Sequence, residues 1–150
     1  MWKAIYIARE ALNKGEVPVG AIIVSAEGSI LAAESNRPII DHDPTAHAEI
    51  LALRTAGQRT GNYRLNGATL YATIEPCVMC AGALVNARVK RLVYGAPDER
   101  FGAVDTHFNI CTSPDLNHRI EITRGVLADN CRKLIQDFFK AKRKSSESRL

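Results

Sequence analysis

The chain has 150 residues, 46% hydrophobic and 24% charged, which fits one soluble globular domain. No apolar run reaches the roughly 18 to 20 residues that span a bilayer, and the start, Met1-Trp2-Lys3-Ala4-Ile5, lacks the pattern of a secretory signal. The composition therefore excludes a membrane-spanning chain and makes the cytoplasm the expected location. The formal charge of +4 favours polyanionic partners, and Lys140, Lys142, Arg143 and Lys144 concentrate it towards the end of the sequence.

In chain order, Trp2 to Lys14 reads as a helix, with Ile5, Ala8 and Leu12 on one stripe and Gly15 as its stop. Val17 to Ser25 reads as a strand that tolerates Pro18 at its start; Ala26-Glu27-Gly28 turns the chain, and Ile30 to Glu34 returns as a hairpin. A polar loop spans Ser35 to Pro44. Thr45 is placed to cap a helix running to about Thr60. Ala68 to Ile74 is a strand, Pro76 breaks it, and a helix follows from Val78 to about Asn86. Arg91 to Gly95 and Arg119 to Thr123 are short strands around a stretch, Phe101 to Asn117, with no readable period. Val126 to about Lys144 is a long terminal helix. The order predicts an α/β fold: a three-layer α-β-α sandwich on a central mixed sheet of about five strands. One domain over residues 1–144 and a charged tail over 145–150 complete the layout.

Two short segments carry chemistry. Thr45-Ala46-His47-Ala48-Glu49 opens one helix, and Glu75-Pro76-Cys77-Val78-Met79-Cys80 joins a strand to the next. One imidazole and two sulfurs make a three-ligand zinc set, and a catalytic zinc keeps three protein ligands and an open fourth position. Cys77 and Cys80 are spaced to face one side across a helix start, where the helix dipole favours thiolates. Glu49 lies too close to His47 to be an obvious fourth ligand but is placed to handle the protons of a metal-bound water. His-x-Glu followed by Pro-Cys-x-x-Cys is the signature of zinc-dependent base deaminases.

On these residues the sequence resembles the cytidine-deaminase-like superfamily and, within it, the bacterial tRNA-specific adenosine deaminases. The segments that carry the resemblance run nearly the whole length. They include Val17-Pro18-Val19-Gly20-Ala21, Asn36-Arg37-Pro38, Asn62-Tyr63-Arg64-Leu65, Asn117-His118-Arg119-Ile120-Glu121-Ile122 and Asp137-Phe138-Phe139. The Asn-Arg-Pro loop and the terminal Asp-Phe-Phe before basic residues distinguish the tRNA enzymes from other nucleobase deaminases.

The resemblance implies a homodimer with one Zn²⁺ per subunit. It implies a tRNA anticodon loop as partner and the wobble adenosine as substrate, converted to inosine by zinc-bound hydroxide with Glu49 as the proton shuttle. It further implies that Asn36 and the backbone N–H of Ala48 contact the flipped base, and that Asp98 and Phe139 contact neighbouring nucleotides. The alternative is a deaminase of free guanine, cytosine or a nucleotide. Residues 98–107 depart from the small, Gly- and Ser-rich sequence usual in the family at that place. Glu75 reads as structural, His42, His107 and His118 as locally bonded residues, and Cys111 and Cys131 as small buried ones.

Overall fold

Small residues decide how the first helix meets the sheet. Helix α1 (Trp2–Asn13) buries Ala4, Ile5, Ala8 and Ala11, so alanines and not the expected Leu12 line its inner face. Gly20 opens strand β1 (Gly20–Val24), and a Cβ there would overlap the carbonyl oxygen of Ala4. The strand begins at Gly20 and not at Val17 as expected. Pro18 has no N–H to give, and the Val19 N–H donates to the Val17 carbonyl (2.8 Å) and not to a neighbouring strand.

Strand β2 (Ile30–Ser35) pairs antiparallel with β1. The loop after it contains an element absent from the expected layout, the one-turn helix α2 (Pro38–Asp41). Pro38 sits at its start and His42 ends it in the left-handed region at φ 49. Helix α3 (Ala48–Thr60) starts later than Thr45 suggests, and its N-cap is His47. Asp43 Oδ1 accepts both the Thr45 N–H (2.8 Å) and the Thr45 hydroxyl (2.7 Å), so Thr45 is held in a local turn instead of capping.

Strand β3 (Thr69–Ile74), helix α4 (Val78–Asn86) and strand β4 (Arg91–Ala96) follow as read from the sequence, within a residue at the strand ends. The stretch without a period holds one 3-10 turn, Ile110–Thr112. Strand β5 (Glu121–Thr123) leads to helix α5 (Ala128–Glu147). Gly125 at φ 74 and Leu127 at φ 55 turn the backbone first, which delays α5 past Val126. The computed structural model describes residues 1–147; within it the charged end of the chain is helical as far as Glu147, and the rest of the expected tail, 148–150, lies outside the described residues.

The sheet order is β2-β1-β3-β4-β5, with β1 antiparallel to both neighbours and β3, β4 and β5 parallel. Helices α1 and α5 touch each other on one face, and α3 and α4 touch on the other. This is the expected three-layer α/β/α sandwich on a mixed five-stranded sheet. Ile23, Leu70, Leu84, Val89, Leu92 and Val104 are fully buried in its core. Each such side chain contributes about 1.5–3 kcal/mol of transfer free energy. No helix among the described residues is long and apolar enough to cross a membrane. Strands β2 and β3 end at the same edge of the sheet, and α3 and α4 begin there. In open α/β sheets, such an edge outside the strand ends is where sites form.

Candidate active site

His47 and Cys77 are the N-cap residues of α3 and α4, and both have extended backbone (ψ 150 and ψ 177). Neither side chain turns back to cap its own helix, which leaves both directed at the space between the two helix starts. Cys80, in the first turn of α4, is fully buried behind them. His47 Nδ1 lies 3.6 Å from the sulfur of Cys77 and 3.6 Å from that of Cys80. All three ligating atoms fall within 4.8 Å of one another, the one His/Cys/Asp/Glu group of this kind among the described residues. The donor set fits one zinc: bonds of about 2.3 Å to sulfur and about 2.0–2.1 Å to nitrogen, at the tetrahedral angle, separate N and S by about 3.6 Å.

Electrostatics around the sulfurs favour a cation. The Cys80 thiol and the His47 ring stabilise Cys77 as a thiolate, which brings its pKa down to about 4. The same neighbouring thiolate, together with burial, pushes the Cys80 thiol up. The pair therefore retains one proton that a divalent cation displaces. Contact with the Cys77 sulfur raises His47 against the opposing effect of burial.

Glu49 is 3% exposed and its carboxyl interacts with Cys80, so it enters the cluster without being one of the grouped ligands. Burial raises its pKa above the ordinary carboxylate value, against the pull of its own backbone N–H and of His47. A carboxyl whose hold on a proton is strengthened in this way is suited to proton exchange.

Asn36 is buried directly after β2, and its Oδ1 accepts the Ala48 N–H at 2.8 Å. The two groups expected to touch a base thus hold each other, because the first N–H of α3 has no partner inside its helix. The Nδ2 of Asn36 makes no protein hydrogen bond and is not sealed from solvent. Asp98, after β4, uses Oδ1 to accept the Arg100 and Phe101 N–H groups (3.0 and 3.2 Å), which fixes its own loop. Phe139 lies on α5, across the sheet from α3 and α4; it is exposed, whereas Phe138 is buried, and their rings pack edge to face at 5.2 Å.

Glu16 escaped the sequence reading, as did the partners of Glu75. Glu16, 1% exposed, accepts the Ile40 N–H at 2.8 Å and props α2 beside Asn36. Glu75, also 1% exposed, accepts the backbone N–H groups of Val104, Asp105 and Thr106 (3.3, 3.4 and 3.2 Å) and the Thr106 hydroxyl (2.6 Å). Gly102 lies against this carboxylate, where a Cβ would overlap it, and bridges to Cys77. Glu75 is structural, as expected, and its task is to tie the divergent loop to the backbone at Cys77. His107 and His118 each place a ring nitrogen 2.7 Å from a backbone carbonyl, and Cys111 and Cys131 are buried.

The same loop is fastened from its other side. Asp105 accepts both Nε and Nη2 of Arg124 (2.7 and 2.6 Å) and the hydroxyl of buried Tyr94 (2.5 Å). Burial works to raise the Asp105 pKa, but the Arg124 fork and the Tyr94 hydroxyl outweigh it and hold the carboxyl below its usual range. A lowered folded-state pKa gives stability that is present above the unfolded value of about 3.9 and is lost as the pH falls through the folded value. The pair is partly exposed (Arg124 53%, Asp105 28%) and is screened accordingly. Arg124→Ala is expected to lower stability by about 1 kcal/mol at pH 7. Denaturant titrations from pH 7 downwards should show that difference closing as the pH drops through the carboxylate range.

With this geometry in view, comparison with known proteins is specific. The family model described as MafB19-like deaminase matches residues 1–143. The tRNA-specific adenosine deaminase of Haemophilus influenzae is 44% identical over 144 residues, covering 96% of this chain and 83% of that protein. The tRNA-specific adenosine deaminase of Bacillus subtilis is 41% identical over 148 residues, covering 99% and 91%. A structure from work on A-to-I editing by tRNA:A34 deaminases superposes with a TM-score of 0.86 at 40% identity, covering 89% of this chain and 96% of that one. A guanine deaminase from Nitrosomonas europaea superposes with a TM-score of 0.73 at 27% identity, covering 90% and 80%. Ligand geometry, fold and near full-length identity agree, and the chain belongs to the MafB19-like deaminases, within them to the bacterial tRNA-specific adenosine deaminases.

Proposed function

We propose that this protein converts the wobble adenosine of a tRNA anticodon to inosine by hydrolytic deamination. The observation that carries the reading is the convergence of His47, Cys77 and Cys80 within 4.8 Å, with Glu49 buried beside them. The relatives at 44% and 41% identity named as tRNA-specific adenosine deaminases support the choice of substrate.

In this reading His47, Cys77 and Cys80 hold one Zn²⁺ per subunit. When bound, zinc lowers the pKa of water to about 7 and so provides a nucleophile at neutral pH. Beside such an ion Glu49 would take a proton from the attacking water on its carboxylate and deliver it to the adenine ring nitrogen next to the amine-bearing carbon. The water oxygen would bond to that carbon, and the remaining proton of the added hydroxyl would pass through the same carboxyl to the amine, so that the carbon–nitrogen bond breaks, ammonia leaves and the carbonyl of inosine forms. Asn36 orients the base through its open Nδ2 while the Ala48 N–H holds its Oδ1 in place, and Asp98 and Phe139 meet neighbouring nucleotides. Anticodon bases are unpaired, so extracting one costs less than from a duplex.

The reading includes a homodimer in the cytoplasm. We take residues 1–144 as the deaminase domain and 145–150 as a charged tail.

The alternative reading, a free-base deaminase, draws on the likeness to a guanine deaminase. One assay separates them: incubation with an anticodon stem-loop bearing a wobble adenosine, and in parallel with free guanine and cytosine. Inosine in the RNA with no ammonia from the free bases is the expected result; ammonia from a free base alone would assign the protein to the second reading.

A further inference from the structure

The opposite end of the sandwich carries two arginines that the deamination chemistry does not use. Helix α4 ends in a Schellman motif: the Arg88 N–H donates to the Val85 carbonyl (3.1 Å) and the Val89 N–H to the Leu84 carbonyl (3.3 Å). Arg88 occupies the left-handed position of that motif, at φ 59. Glycine is the favoured residue there, since a Cβ is strained in this conformation. A side chain kept at such a cost to stability points to a use for it.

Arg88 Nη1 donates to the Asn117 carbonyl at 2.9 Å, which fixes the guanidinium and leaves most of its donors free. Across the cleft, Arg64 lies over the ring of Tyr63 (5.5 Å to the centroid) and donates Nε to its hydroxyl at 3.0 Å. Tyr63 is 70% exposed. Tyr63, Arg64, Asn86, Arg88 and Asn117 line a cleft of about 280 Å³ with no acidic residue in its wall. Among the described residues neither Arg64 nor Arg88 has an ion-pair partner, unlike Arg37, Arg54, Arg124 and Arg132. Two oriented guanidiniums, amide side chains and an exposed aromatic ring make a receptor for a phosphate group on a sugar backbone.

We propose that this cleft binds a backbone phosphodiester of the RNA substrate, away from the reacting base. The inference rests on the tRNA reading above. The cleft lies at the C-terminal end of α4 and the metal ligands at its N-terminal end. Nine helical residues separate the two by about 13 Å. The phosphate bound here therefore belongs to a nucleotide other than the wobble one, and contact with it positions the anticodon arm without touching the chemistry. This gives a role to Asn62-Tyr63-Arg64-Leu65 and Asn117-His118-Arg119, two segments of the family resemblance that the active site leaves without one.

The test uses the full chain with Arg88→Gly, Arg64→Ala and Arg88→Lys. Arg88→Gly relieves the left-handed strain, so its thermal midpoint should equal or exceed that of the unaltered protein. Arg88→Gly and Arg64→Ala should each weaken tRNA binding about tenfold. Each should also reduce the slope of log affinity against log salt by about one. Single-turnover deamination at saturating tRNA should not change, and Arg88→Lys should restore the salt slope. Unchanged affinity and slope in both variants would overturn the proposal. So would a loss of binding that follows a change in oligomeric mass on sedimentation, since the cleft would then be a protein contact. If the unaltered protein makes no inosine, the deaminase reading is what fails, and the salt slopes still decide the role of this cleft.

Discussion

Glu49→Gln should leave one metal per chain and an unchanged affinity for tRNA, while inosine formation at saturating substrate falls about a thousandfold. Glu49 sits two residues past His47 in the first turn of α3, almost fully buried, with its carboxyl towards Cys80. Glutamine has the same shape and removes the charge and the ability to carry a proton. Because a buried carboxylate is costly, the substitution should hold or raise thermal stability. A fall in turnover with metal and fold intact therefore isolates the proton transfer. Metal analysis, a melting curve and single-turnover kinetics on the same preparation check all three parts, and turnover at the original rate would remove Glu49 from the mechanism.

Cys80→Ala should abolish both stoichiometric metal and activity. Cys80 has no exposed surface and supplies a sulfur that neither Cys77 nor His47 can replace from its own helix start. The thermal consequence is separable from simple loss of packing. A protein with an intact site gains about 4 kcal/mol when free metal is a thousand times its Kd, and a protein without one gains nothing. Melting curves with and without added zinc should therefore diverge for the unaltered chain and coincide for Cys80→Ala. Cys111→Ala is the control: this thiol is equally buried but lies outside the cluster, so its variant should keep the metal-dependent gain. A zinc-dependent shift of normal size in Cys80→Ala would place the metal elsewhere.

The cluster of His47, Cys77 and Cys80 was legible in the sequence because each half of it is local. Donor type and the strand-to-helix break at Pro76 placed Cys77 and Cys80 on one side of a helix start, and His47 followed from the same logic on α3. Helix α4 was read to the residue because strand, proline and apolar helix follow one another without a competing signal. The start of α3 was misplaced because Asp43 captures Thr45, a competition between two capping-type residues that spacing alone does not resolve.

The loop over residues 98–107 was unreadable for a different reason. Its shape is set by Glu75, Tyr94 and Arg124, reached across as many as 31 positions of sequence, and by a glycine whose value lies in what it leaves room for. The left-handed Arg88 also gives no sign of its backbone in the sequence, and only the structure shows that a position suited to glycine holds an arginine. Residue chemistry at helix starts is legible from sequence; long-range hydrogen bonds and backbone strain are not.

The central claim is that one zinc is held by one imidazole and two sulfurs with a position left for water. Zinc-edge X-ray absorption on the purified protein reads this directly. The account predicts two sulfur scatterers at about 2.3 Å with nitrogen and oxygen at about 2.0–2.1 Å. A shell of four sulfurs, or of light atoms alone, would contradict it.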